Sequence, residues 1–349
     1  MKIALLNDTH FGVRNDSPMF MEYQNKFYDE LFFPYLQENN IKTLIHLGDV
    51  VDRRKFINHN TANNFKKVFW NKLDELDIDT HIIIGNHDTY YKNTNEVNAL
   101  QNLELNKKSK VYKNPTETEF DGCNILFLPW ICDDNYEDSI HAIDQSQSTI
   151  VMGHLEVKGF EMHSGVINDH GLEKLQFTKF DKVYSGHFHK KSDDGRIYYL
   201  GTQYEMTWSD YRCQKGFHVF DTDTRELTRV VNPVTMFEKI IYDDKQNDYL
   251  TYDIEPYHKK HVKLFVSNKT DDDMYNMFID RLYNKINLHE LNIIEDNSDL
   301  NASVREDILE QGEDTLTFLG NYIDQIETDI DKSKLKTFAK ELYVEASEW

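Results

Sequence analysis

The chain has 349 residues, and its 39 Lys and Arg against 61 Asp and Glu leave a formal net charge of −22, a poor footprint for a protein that grips nucleic acid unaided. Three cysteines, Cys123, Cys132 and Cys213, form no CxxC pair, which argues against a disulfide framework or a cysteine zinc site and fits a reducing compartment. No apolar run approaches the roughly 20 residues that span a bilayer, and the opening MKIALLNDTHFG reads as a strand and not as a signal peptide.

In chain order, KIALLND (2–8), KTLIHLGD (42–49), THIIIGN (80–86), NILFLPW (124–130), STIVMGH (148–154) and KVYSGHFH (182–189) each run apolar and end in a polar turn. Short apolar runs of this kind are expected of strands buried on both faces. Amphipathic helices are predicted between them. Ser17-Pro18 reads as a cap with Pro at the first helical position, followed by Phe20, Tyr23, Phe27 and Leu31 at helical spacing; Phe65, Val68, Phe69, Leu73 and Leu76 mark a second helix. GRIYYLGT and KGFHVFDTDTRELTRVV follow as strands, the second with a hairpin turn at Asp221–Arg225. Residues 1–235 are thus expected to form one α/β domain with central sheets and outer helices. HVKLFVS (261–267), a helix around 271–286 and ELNIIED (290–296) predict a small α+β domain over 236–300. Asp296–Ala302 reads as a linker, and 301–349 as a helical tail. The stretch from Glu290 to Asp331 holds 13 acidic residues against one basic, Arg305, either a solvated face or a connector to a basic partner. In the tail, Leu316, Leu319, Ile323 and Ile326, and then Leu335, Phe338 and Leu342, form two narrow apolar stripes.

The polar residues that follow the strands carry the chemistry: Asp8 and His10; Asp49, Asp52 and Arg53; Asn86, His87 and Asp88; His154; His187 and His189. A lone strand-end histidine is ordinarily structural. Five such strand ends, four behind a glycine, are hard to explain by packing, because burying so many uncompensated polar groups costs several kcal/mol unless something ligates them. Imidazole, carboxylate and one neutral amide, without thiolate, suit two borderline ions such as manganese, iron or zinc better than calcium. Asp49 has two oxygens with which to bridge them. Two ions about 3.5–4 Å apart bind phosphate oxygens and stabilise a leaving oxygen. His87, one residue beyond a candidate ligand, is expected to face substrate and donate a proton. Asp88 reads as a turn cap.

The series D-x-H, GD-x-x-D, GNHD, GH, GHxH over residues 8–189 resembles the calcineurin-like metallophosphoesterase superfamily. With GDVVDRRKFINHNT, IIGNHDTYYKN, FDGCNILFLPWICDDN, GHLEVKGF, SGHFH and LYVEAS, the resemblance extends to the SbcD-type DNA repair and recombination nucleases, among them the recombination endonuclease subunits of T-even-like phages. It implies a two-sheet sandwich with a capping domain and a helical tail. It also implies 3′–5′ exonuclease and endonuclease activity on DNA ends with two divalent ions, manganese foremost and magnesium, iron or zinc as alternatives. Further implied are a homodimer, an SbcC-like coiled-coil ATPase partner bound through the C-terminal helices, and action in the host cytoplasm. Carried over by position, one ion sits on Asp8, His10, Asp49 and His189, and the other on Asp49, Asn86, His154 and His187. His87 is the catalytic histidine, and Asp52 orients it. Arg53 and His59 are candidates for substrate phosphate, although the family's Pro-Ser at that helix start is absent. A phosphoprotein phosphatase or other phosphodiesterase is the rival enzyme reading; GDVVDR favours it, whereas the Asp after GNH and the GHxH oppose it. A catalytically inert scaffold for an ATPase is the rival non-enzymatic reading.

Overall fold

The computed structural model describes residues 1–103, 108–163, 166–295, 320, 322–323 and 331–347. Its strands in chain order are β1 (Lys2–Leu6), β2 (Thr43–His46), β3 (Asp79–Ile83), β4 (Ser109–Tyr112), β5 (Thr116–Phe120), β6 (Cys123–Leu128), β7 (Ile150–Gly153), β8 (Glu161–His163), β9 (Val166–Ile167), β10 (Lys182–Ser185), β11 (Ser192–Asp193), β12 (Ile197–Tyr199), β13 (Gly216–Asp221), β14 (Leu227–Val231), β15 (Phe237–Asp243), β16 (His261–Asn268) and β17 (Glu290–Ile294). The helices are α1 (18–38), α2 (59–75), α3 (Tyr136–Gln145), α4 (Asp272–Asn284) and α5 (Lys332–Ser347). Both α1 and α2 pass through one π-turn, at Tyr28–Phe32 and Lys66–Trp70. The chain divides into two compact units, Met1–Met206 with Arg212–Met236, and Thr207–Tyr211 with Phe237–Trp349.

The first unit contains two six-stranded sheets, ordered β14-β13-β1-β2-β3-β4 and β11-β12-β10-β7-β6-β5. Strands β1 to β4 are parallel, as are β6, β7, β10 and β12. Alternation along the strands gives each sheet two apolar faces. Ile3, Leu5, Ile45, Leu47 and Ile83 of the first sheet meet Ile125, Phe127, Ile150, Met152 and Tyr184 of the second in one core. On the second sheet's other face, Leu126, Val151, Val183 and Tyr199 pack with Ile143 of α3 and with Phe177. Phe27, Tyr28 and Phe32 of α1 form an aromatic cluster with Phe11, with Phe65 and Phe69 of α2, and with Phe217 of β13. This is the predicted α/β sandwich, two central sheets flanked by helices.

The unanticipated strands β4 and β5 are the outer strands of their sheets. Thr116-Glu-Thr-Glu alternates without an apolar run because only one side of an edge strand meets the core. Helix α3 was also unforeseen; it buries only Ser139 and Ile143, too few positions for a periodic signal.

In the second unit, β15, β16 and β17 form a parallel three-stranded sheet. Helix α4 connects β16 to β17, capped by Asp271, whose side chain accepts from Met274 N at 2.9 Å. Its core contains Ile240, Tyr242, Tyr249, Leu264, Phe278 and Leu282. The expected linker at 296–302 lies outside the described residues, as do Leu316, Leu319 and Ile326. On α5, Leu335 is half-buried and Phe338 exposed.

Candidate metal centre

The adjacency of β1, β2 and β3 sets three carboxyl-end turns side by side, and β7 and β10 present two more from the other sheet. Asp8 and His10 follow β1, Asp49 and Asp52 follow β2, and Asn86 and His87 follow β3. His154 follows β7, and His187 and His189 follow β10. Asp8, His10, Asp49 and His187 have φ of 49°, 41°, 57° and 85°, a left-handed region uncommon for residues other than glycine, though Asp and His enter it more readily than most. The glycines before the ligands supply room. A Cβ on Gly48 (φ 94°) would lie 2.6 Å from His154 Nδ1, and one on Gly85 would lie 2.2 Å from Asp49 Oδ1.

Three overlapping groups of donor atoms lie within 4.8 Å: Asp8, His10 and His189; Asp49, His154 and His187; and His10, Asp49 and His87. In the first group His10 Nε2 and His189 Nε2 are 3.1 Å apart, with Asp8 Oδ1 4.0 and 3.9 Å from them. In the second, Asn86 Oδ1 lies 2.8 Å from His154 Nε2 and 3.1 Å from His187 Nδ1. Asp49 spans the two. Its Oδ1 accepts from His87 N at 2.7 Å, while Oδ2 lies 3.2 Å from His154 Nε2 and 3.8 Å from His10 Nε2.

These groups fit a pair of cations. His154 Nδ1 donates to the Leu47 carbonyl at 2.8 Å, so the neutral ring turns a lone pair, at Nε2, towards Asn86 Oδ1 and Asp49 Oδ2. Three lone pairs converging in a buried space require a positive charge among them, either a proton or a metal ion. Burial disfavours a charged His154, yet the Asp49 carboxylate, and Asp8 beyond it, push it up to about 9. Burial likewise acts to raise Asp49, but His154, His87 and His10 hold it well below the usual carboxylate range. Burial raises Asp8. Donor spacings of 3.1–4.0 Å are close to those about an ion with bonds of about 2.0–2.2 Å.

His87 Nδ1 donates to the backbone carbonyl of Asp52 at 2.5 Å. The Asp52 carboxylate lies elsewhere, with Oδ1 3.4 Å from His10 Nδ1. Asp52 therefore meets two histidines, hydrogen-bonding His87 through its main chain and lying near His10 with its side chain. Spacing in the sequence reveals proximity but not which oxygen faces which ring.

Sequence reasoning undervalued Asp88. Its fully buried carboxylate accepts from the N–H groups of Asp49 (2.9 Å), Val50 (2.8 Å), Val51 (3.3 Å) and Gly85 (2.9 Å). It caps its own turn as expected and also ties the loop after β2 to the loop after β3. Burial, and then the charge of Asp49, push it up to about 6. Arg53 is paired with Asp16 (3.0 Å) and Asn15 (2.7 Å). His59 is exposed at the start of α2, behind the cap Asn58. Neither is among the three donor groups.

The sandwich and the five-turn cluster define the class. Residues 1–191 match the model of the calcineurin-like phosphoesterases, and the chain belongs to that family. Over its full length it is similar to Exonuclease subunit 1 of Enterobacteria phage T4, with 33% identity over 353 residues covering 100% of both chains. Among solved structures it resembles a dimetal phosphatase from Danio rerio (10% identity, TM-score 0.40, 67% of this chain and 97% of that one). It also resembles an archaeal phosphodiesterase (15% identity, TM-score 0.33, 66% of this chain and 100% of that one).

Proposed function

We propose that the protein is the nuclease subunit of an SbcCD-like DNA end-processing complex, a two-metal phosphodiesterase with 3′–5′ exonuclease and endonuclease activity in phage recombination, repair and replication. The observation that carries the reading is the convergence of Asp8, His10, Asp49, Asn86, His154, His187 and His189 on one buried cluster, in a chain similar throughout to a phage exonuclease subunit.

Asp8, His10 and His189 would hold one ion and Asn86, His154 and His187 the other, with Asp49 shared. When bound, two divalent ions, manganese foremost, supply charge neutralisation at a phosphodiester and activate water. The chain's own contribution is positional. The Leu47 carbonyl fixes the tautomer of His154. The Asp52 carbonyl accepts from Nδ1 of His87, so Nε2 gives a proton to the leaving oxygen from the doubly protonated ring and leaves the ring neutral, with its proton on Nδ1. Residues 1–235 form the nuclease domain, 236–300 the capping domain, and 301–349 the segment that binds an SbcC-like ATPase. The active form is a homodimer working in the host cytoplasm.

The test is cleavage of DNA with defined ends, with and without manganese and the ATPase, alongside metal analysis of the purified chain. Two ions per chain and manganese-dependent cleavage, lost in Asp49→Ala, are expected. Undiminished activity in excess chelator would overturn the metal mechanism. Hydrolysis of a phosphopeptide in preference to DNA would transfer the protein to the phosphatase reading.

A further inference from the structure

The loops after the adjacent strands β2 and β3 carry Asp49 and Asn86 of the metal cluster, and both bear exposed aromatic rings. The loop after β2 continues from Asp52 into Arg53-Arg54-Lys55-Phe56, the one place in this acidic sequence where three cationic residues stand consecutively. Among the described residues of the first unit, Phe56 is the most exposed aromatic side chain, at 59%. The Arg53 guanidinium lies over its ring, 4.9 Å from the centroid. The loop after β3 continues from His87 to Tyr90-Tyr91-Lys92. Tyr90 and Tyr91 are 42% and 51% exposed and meet edge to face at 4.7 Å.

These rings stand on a rigid base. Asp88 binds both loops, Ala99 N donates to the Asp88 carbonyl at 2.7 Å, and Tyr90 N donates to Val97 O at 2.9 Å. Arg53 is paired with Asp16 and Asn15, and the exposed Phe56 beside Arg54 and Lys55 suits a ligand that is an anion with a flat face. Nucleotides are such ligands. Groove cations track the phosphates while aromatic rings stack on the bases, which a continuous duplex keeps covered.

We propose that Phe56 and the Tyr90–Tyr91 pair form a stacking platform for the unpaired strand of a DNA end, leading its backbone to the metal cluster. The proposal rests on the nuclease reading and specifies its substrate as single-stranded or frayed DNA. The rings are three or four residues beyond His87 and Asp52 and belong to neither proposed ligand set, so they position substrate without entering the chemistry.

The full-length, manganese-loaded protein would be compared with Phe56→Ala, Tyr90→Ala/Tyr91→Ala and Phe56→Trp. The substrates are a single-stranded oligonucleotide, a blunt duplex, and bis(p-nitrophenyl) phosphate, a diester with no base. Binding of the oligonucleotide is followed by anisotropy. The alanine variants should raise KM and Kd for the single strand roughly 5- to 100-fold with little change in kcat, Phe56→Trp should restore both, and hydrolysis of the small diester should be unchanged. Unaltered KM and Kd would overturn the proposal, as would an equal loss on the small diester, which would mean a disturbed metal centre. Weaker handling of blunt duplex alone would assign the rings to a duplex surface instead. If the wild type hydrolyses the small diester yet cleaves no DNA, the nuclease reading fails, whereas the anisotropy still reports on the platform.

Discussion

Asp52 meets two histidines through different atoms. Its carbonyl receives the His87 proton donor while its carboxylate lies against His10, so removing the side chain need not free His87. We expect His87→Ala to keep its ions and its affinity for DNA and to lose about 10²–10⁴-fold in the chemical step, the range for a general acid. Asp52→Asn should leave the His87 contact intact. Its effect should appear first as weaker metal binding through His10, on the order of tenfold, as for other groups that orient a ligand. Metal titration and single-turnover cleavage of the two variants separate these outcomes. Loss of ions in His87→Ala would make that residue a ligand, a role its position within 4.8 Å of His10 and Asp49 allows.

At the scale of elements, the strand-end turns were legible because each joins an apolar run to a ligating residue, four of the five through a glycine, and no packing need explains that combination. The edge strands β4 and β5 were not, since half of each faces water and the apolar run disappears. The left-handed backbone at Asp8, His10, Asp49 and His187 was equally hidden, because Asp and His tolerate that region without requiring it. Gly85 shows how closely these turns are fitted. Its missing Cβ would coincide with Asp49 Oδ1 at 2.2 Å, so Gly85→Ala must push the shared carboxylate or the loop after β3 aside. The expected cost is about 1–3 kcal/mol of stability, with fewer than two ions bound per chain. Thermal denaturation and metal analysis together check it, and a variant with two ions and unchanged Tm would refute the close fit.

For the whole molecule, the expected sandwich emerged because its inner strands are short continuous apolar runs buried on both faces, whereas the proposed partner-binding tail falls largely outside the described residues. Of the tail's stripe residues that are described, Ile323 is buried and Leu335 half-buried, whereas Phe338 on α5 is 60% exposed. A protein ending at Asp299 should retain manganese-dependent cleavage of short DNA within about twofold and lose co-purification with the ATPase. Complex formation at unchanged affinity would show that the tail is not the docking element.

The ligands proposed for the ions come from both sheets, the earliest at residue 8 and the last at residue 189, and β1 pairs with β13, which begins only at Gly216. During synthesis, then, most of the first unit must emerge before the proposed set of donors is complete, and β1, which gains β2 early, waits until Gly216 for its second neighbour. On the proposed two-ion reading the metal would link donors of two sheets that the apolar core already joins, while Asp88 ties together only the loops after β2 and β3 of the first sheet. A cell short of the metal would accumulate folded, inactive protein that regains activity on resupply, with no need for new synthesis.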